Sequence, residues 1–386
     1  MSGSMDSTTF NFAIIGAGCS GIHLALAMME DPFFRDKQII IIEKESKSEN
    51  DRTWCFWEPG EGKWDGLIHH SWSRGKFYSE AKPERLDMAP YRYKMLRSIA
   101  FYNYGKQKVR EAPNFHWVSD TVSEIRQDES NAIVAEKSTY YAHHIFDSRI
   151  DPSFYQDDDP YTRILQHFKG WSIQTEEDHF DPDEFVIMDF RLRWKNTTSF
   201  SYVLPTSKRT ALVEFTLFTP ELIKDHEYDK MLDLYIREII GLKDYSVMEV
   251  EKGIIPMTDY PFHNLHKENI TKIGTAGSWV RPSSGYSFKN SEKYAGRIIQ
   301  NIKSGKPPAS GIARNRFRLY DRLLLDILNH HNELGTELFG SMFGKSPARR
   351  IFKFLDEETN MLEDIKIISS FRSAPFLRAL INQLTR

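Results

Sequence analysis

The stretch NFAIIGAGCSGIHLALAMME, residues 11–30, continued by KQIIIIEK, residues 37–44, decides how this chain is read. An apolar run, Phe12 to Ile15, enters Gly16-Ala-Gly18-Cys-Ser-Gly21. A helix-period segment follows, and a second apolar run, Ile39 to Ile42, ends on Glu43. Strand, glycine turn, helix and strand in that order form a dinucleotide-binding unit. Gly16 serves the turn, Gly18 lets the backbone approach a pyrophosphate, and Gly21 lets helix pack on strand. The helix N-terminus adds free N–H groups and partial positive charge. Glu43, 22 residues past Gly21, is placed to accept hydrogen bonds from a ribose diol and would repel a ribose phosphate. NAD or FAD is therefore favoured over NADP at this turn.

The whole chain bounds that reading. Its 386 residues are too many for one small core, so two or three subdomains are expected. A net charge of −3 gives no electrostatic case for nucleic acid. Cys19 and Cys55 are too few for a disulfide framework or a cysteine-rich metal site, which points to a reducing cytoplasm. Cys19 reads as a small packing residue in the turn. The opening MSGSM reads as a vector remnant, and residues 1–9 are set aside as remnant and tail. No apolar run approaches the length of a membrane span.

Working outward, residues 10–150 read as the first part of the nucleotide domain. Residues 45–66 break into a loop carrying Trp54, Phe56, Trp57 and Trp64, expected either to line an apolar cavity or to pack in the core. Tyr91 to Val109 reads as a helix. Strand-like runs follow at Phe115 to Ile125, Ala132 to Ala135 and His143 to Phe146, the last ending in Asp147-Ser148-Arg149, where a strand is expected to reach the nucleotide. Between 151 and 264 the pattern alternates, with one helical segment at Pro220 to Ile240, and reads as a β-rich substrate domain.

Nucleotide chemistry returns at 265–305. Ile270 to Ile273 leads into Gly274-Thr275-Ala-Gly277, then Arg281-Pro-Ser-Ser-Gly285, then a helix-period segment to about Ile302. A second strand, glycine turn and helix is the arrangement that holds the ribityl and flavin end of FAD. The segment 306–386 is helical in pattern. From Gly311 onward it carries 12 Lys/Arg against 9 Asp/Glu, interleaved with Phe317, Leu324, Phe339, Phe343, Phe352, Phe354 and Phe376. Such a surface suits an anionic membrane or a cap over the substrate cavity. Asp259 is expected to hold a turn. The adjacent pairs His69-His70, His143-His144 and His330-His331 diverge on any regular element, so no metal is assigned.

Taken together these segments resemble the flavin-dependent lycopene cyclases, particularly the bacterial single-chain type. The resemblance rests on GAGCSG at 16–21, DRTWCFWE at 51–58, FDSR at 146–149, LQHFKGW at 165–171 and MDFR at 188–191. It continues through YVLP at 202–205, ALVEFT at 211–216, GIIPM at 253–257, IGTAGSWVRPSSGYSF at 273–288 and YDRLLLDIL at 320–328. It implies a Rossmann-like two-dinucleotide flavoprotein fold, with FAD held reduced by NADPH or NADH. Lycopene or a related polyene is the implied substrate, and the protein is expected in the cytoplasm, peripheral on the inner face of the membrane. The implied reaction is an isomerisation: an end double bond is protonated, the cation closes on a neighbouring double bond, and proton loss leaves an ionone ring.

That chemistry needs a strong acid, a dry cavity and an electron-rich wall. Glu214 matches the family's functionally important glutamate, and burial in an apolar strand would keep its proton available. In many members an acidic residue follows; here it is Phe215. Trp54, Phe56, Trp57 and Trp279 are the expected polyene-lining aromatics, and the reduced flavin is left with two roles, facing the cation or taking the proton. Where many flavoproteins carry an aspartate after Gly274, this chain has Thr275. The expected flavin contacts are thus Gly16, Gly18, Gly21, Glu43, Asp147, Gly274, Thr275, Gly277 and Gly285. The competing readings are a flavin monooxygenase or polyprenyl reductase, a cyclase of another terpenoid, and a non-catalytic carotenoid carrier.

Overall fold

In the computed structural model of the protein, residues 9–79, 83–127, 131–156, 160–312 and 315–371 are described below. Phe376 and the opening MSGSM lie outside them. The first sheet runs β8 (Phe115–Ser119), β2 (Ile39–Glu43), β1 (Thr9–Ile15), β11 (Thr139–Asp147), β10 (Ala132–Ala135) and β9 (Val122–Arg126). β8, β2, β1 and β11 are parallel, and β17 (Ile270–Lys272) pairs parallel with the end of β11. Buried on both faces, β2 is an unbroken apolar run, as parallel strands require. Each of its four buried isoleucines contributes about 1.5–3 kcal/mol. Helix α1 (Cys19–Glu30) crosses between β1 and β2 and packs on α4 (Phe288–Lys303), so the two glycine turns meet at one end of the sheet.

The second sheet runs β16 (Ser246–Thr258), β12 (Arg163–Gln174), β15 (Thr210–Thr219), β14 (Ser199–Pro205), β13 (Glu184–Asp189), β5 (Arg74–Tyr78) and β6 (Pro83–Leu86). Its first five strands are antiparallel neighbours, and β5 joins β13 in parallel, so two strands of this sheet come from before residue 150. One face is covered by α3 (Asp225–Leu234), which continues as a π-helical turn to Ile240; Val213, Phe215 and Leu217 pack there against Tyr228, Met231 and Tyr235. The other face meets Trp72 and Tyr93, whose rings pack on Phe185, and the helices α5 (Asn315–His330), α6 (Gly335–Lys345), α7 (Ala348–Leu355) and α8 (Met361–Ile368).

A small third sheet, β3 (Thr53–Pro59), β7 (Tyr91–Arg97) and β4 (His70–Trp72), corrects two expectations. The tryptophan-rich stretch contains a strand. Tyr91 to Val109 is a strand that turns into helix α2 (Ser98–Glu111) at Ser98. Met95, Ile99 and Tyr102 have helical spacing, but Tyr93 and Met95 also alternate, and pairing on both sides by β3 and β4 settles the first half as strand.

Candidate active site at the meeting of the two sheets

At the first turn Gly16 has φ of +92°, and a Cβ there would lie 2.1 Å from Ser148 Oγ, which itself donates to Ile15 O at 2.8 Å. Gly21 is pressed against the same turn: a Cβ would meet Gly16 O at 2.0 Å. Both positions therefore demand glycine. Gly18 differs. It precedes the first turn of α1, and the space where a Cβ would stand is empty for 4 Å, opening into a cavity of about 400 Å³.

Glu43 is buried beneath this turn and accepts from the backbone N–H groups of Ala17 and Glu45. Both of its oxygens are thus engaged by nearby backbone, and Glu43 is not on the cavity wall. Asp147 is engaged inside the protein. Arg149 Nε and Lys272 Nζ each donate to it at 2.9 Å, and these cations hold it below the usual carboxylate range despite a burial that would raise it. The neighbouring Ser148, rather than Asp147, faces the cavity.

The second turn closes the cavity from the other side. Gly274, Thr275 and Gly285 line it, together with Ser287, Phe288 and Ser291 at the N-terminus of α4. Gly277 is packed inward, where a Cβ would meet Lys272 O at 2.4 Å. Two helix N-termini and two open glycine turns thus face one space at the carboxyl ends of β1, β11 and β17, where ligands of open parallel sheets bind. FAD would fit this cradle, with its pyrophosphate against Gly18 and the start of α1 and its flavin end against Gly274, Thr275 and the start of α4.

The opposite wall is the second sheet. Glu214, on β15, is half-buried with its exposed part in the cavity, and Thr216 Oγ1 donates to its Oε1 at 2.7 Å. Burial first, then the Glu251 carboxylate, pushes the Glu214 pKa up to about 8, against the pull of the Thr216 hydroxyl. Successive strand residues point to opposite faces, so Phe215 points away into the core under α3. An acid at position 215 would not share this cavity. Glu251 on β16 does; it was not singled out from the sequence, where the Glu249-Val-Glu251 alternation was its one visible signal. Thr53 Oγ1 donates to Glu251 Oε2 at 2.7 Å, and burial raises its pKa.

Of the four expected lining aromatics, Trp54 lines the cavity. Phe56 stacks on Phe288 at 4.9 Å in the core behind it, and Trp57 stacks on Phe352 at 4.7 Å while donating to Asp356 at 2.7 Å. Trp279 is fully buried beside Tyr294. The cavity wall instead carries Tyr93, Phe168, Tyr202, Tyr286 and Phe288. Tyr202, Ser284 and Tyr286 also border a second, apolar cavity of about 80 Å³ that runs on between the second sheet and α5, α6 and α7, past Phe218, Leu324 and Phe339. Among the described residues there is no cluster able to hold a metal and no helix long and apolar enough to cross a membrane.

The fold is shared along nearly its full length by solved proteins: a flavin-dependent brominase aligns with a TM-score of 0.62 over 97% of this chain and 99% of its own, at 14% identity. A geranylgeranyl bacteriochlorophyll reductase-like protein from Thermoplasma acidophilum aligns with 0.60 over 96% of each chain, also at 14% identity. The family described as lycopene cyclase protein matches residues 11–381, and this chain belongs to it. Relatives include a chloroplastic neoxanthin synthase of Solanum lycopersicum, 22% identical over 77% of this chain and 61% of its own. A lycopene beta cyclase of Narcissus pseudonarcissus is 26% identical over 54% and 44%. The chain spans about a third to three fifths of the length of the curated relatives it matches.

Proposed function

We propose that this protein is an FAD-dependent, non-redox cyclase that protonates the end of a linear carotenoid such as lycopene and closes an ionone ring. The observation that carries the reading is Glu214, a carboxyl that keeps its proton at neutral pH, set in the same cavity as both glycine turns. Alkene protonation needs such an acid, and the count of NADPH separates it from a reductase, which would also take up a proton.

Glu214 delivers its proton to the terminal double bond. Trp54, Tyr93, Tyr202 and Tyr286 present ring faces to the carbocation and exclude water. The small apolar cavity beyond Tyr202 and Tyr286 continues from the space beside Glu214 and marks the direction in which the polyene leaves the site. When bound and reduced, with NADPH or NADH as the electron source, the flavin supplies an electron-rich face beside that cation. Peripheral membrane contact, which would deliver so apolar a substrate, is supported by α8, where Met361, Leu362 and Ile365 are all exposed.

The test is anaerobic incubation of the purified protein with lycopene in liposomes, FAD and NADPH, with chromatography of the pigments and a count of NADPH consumed. A product of unchanged mass formed with far less than one NADPH per ring is expected. A product altered by two hydrogens, or by oxygen when air is admitted, would transfer the protein to the reductase or monooxygenase class.

A further inference from the structure

The second sheet sets Glu214 and Glu251 in one row. Gly170 of β12 pairs with Glu214 of β15 on one side and with Glu251 of β16 on the other, and directly opposed residues project to the same face. Two strand spacings put their Cα atoms about 10 Å apart. What lies between them is decided by Gly170. A Cβ there would stand 3.1 Å from Glu251 Cγ and 3.6 Å from Glu214 Cβ, so any side chain would occupy the space between the carboxyls. With glycine no β12 side chain divides the two carboxyls, Leu212 Cδ1 packs 3.1 Å from where a Cβ would stand, and both acids line the same cavity.

We propose that Glu251 is the second acid/base group of the cyclisation site, taking the proton that leaves the ring and returning it to Glu214 across the gap over Gly170. The inference rests on the cyclase reading. The proton balance supports it. Glu214 gives its proton to the CH carbon of the terminal double bond, which leaves a tertiary cation on the other carbon of that bond; the π-pair of the neighbouring double bond attacks that carbon and forms the ring bond. A ring C–H bond then breaks, its electron pair becomes the ring double bond, and its proton passes to the Glu251 carboxylate. Glu214 is left ionised and Glu251 protonated. Transfer of one proton between them restores the starting state, with no net exchange of protons or electrons, as an isomerisation in a dry site requires.

The surroundings suit an acceptor. Thr53 donates to Glu251, a bond that favours the ionised form. The charged groups about it are Glu249 and Lys252 on its own strand, Arg97 on β7, Arg52 ahead of β3 and Glu214 across the gap; Arg97 is engaged by Glu249 at 2.6 Å. Lys47 and Asp51, farther along the same cavity, pair with each other at 3.6 Å.

The experiment compares Glu251→Gln, Glu251→Asp and Thr53→Val with the FAD-loaded wild type on lycopene liposomes, measuring kcat and KM from pH 5 to 9. The wild type is expected to give a bell, its acid limb set by Glu251 and its alkaline limb by Glu214. Glu251→Gln should lower kcat about 100-fold or more, within the usual range for an acid/base group, with flavin absorbance kept and KM within about threefold. Glu251→Asp should restore about tenfold. Thr53→Val, which removes the stabilising hydroxyl, should move the acid limb upward by about one pH unit. Glu251→Gln retaining kcat within threefold and both limbs would overturn the proposal. If that variant loses flavin, Thr53→Val decides, and an unmoved acid limb overturns it. A wild type that forms no ring at all removes the cyclase reading instead.

Discussion

A neutral carboxyl is useful only while it stays neutral. The Glu214 pKa of about 8 means that it is protonated at pH 7, and that acid catalysis declines as pH rises through 8. Stability follows the same group with a definite sign. Between the ordinary carboxyl value of 4.5 and about 8 the folded state binds a proton that the unfolded state has released, so stability falls with rising pH across that window. Glu214→Gln, neutral at every pH and nearly isosteric, should therefore abolish cyclisation by a factor of about 100 or more. It should also raise Tm above the wild type at pH 8.5 and leave the two similar at pH 4. A variant that still cyclises, or a Tm that falls at pH 8.5, would contradict the protonated, buried assignment. Glu214 was legible in the sequence because one ionisable residue interrupts an apolar strand. Glu251 was not, since its partnership with Glu214 exists only in the register of β12 between β15 and β16, across 37 residues of sequence.

Elements that are local in sequence were read with the least error. The β1–α1–β2 unit and the second glycine turn are set by neighbouring residues, so their glycines announced them. The aromatic wall is set by side-chain alternation on β3 and by packing against α7. That is why Trp54 reaches the cavity while Trp57 belongs to the core with Phe352. Gly18→Val tests the first turn cleanly, because an added Cβ there meets nothing within 4 Å and the valine would point into the cavity. We expect folded protein, destabilised by about 1 kcal/mol or less at the helix start, that purifies colourless and does not take up FAD on dialysis. Yellow protein would remove Gly18 from the phosphate site.

At the scale of the whole molecule, two elements leave several apolar side chains uncovered among the described residues: β16, with Met248, Val250 and Ile254, and α8, where Leu362 is 72% exposed, flanked by Met361 and Ile365. Deleting the chain beyond Pro347 would also remove Ile351, Phe352 and Phe354 from the core, so point changes are the better probe. Leu362→Glu with Ile365→Glu should cut co-sedimentation with anionic liposomes several-fold and leave Tm within about 2 °C, since exposed substitutions cost within about ±0.5 kcal/mol. Undiminished binding would assign membrane contact elsewhere.

The cavity wall draws on residues from Gly18 to Ser291, and the chain passes between the two sheets several times in between. A ligand spanning both glycine turns therefore acts as a non-covalent staple, closing loops of more than 200 residues whose ends must otherwise find each other unaided. Bound only by the assembled protein, it stabilises that state by about 4 kcal/mol at a thousandfold excess over Kd. Retained flavin colour is then a readout of folding as much as of chemistry, and supply of the cofactor during synthesis should govern how much of this chain survives in the cell.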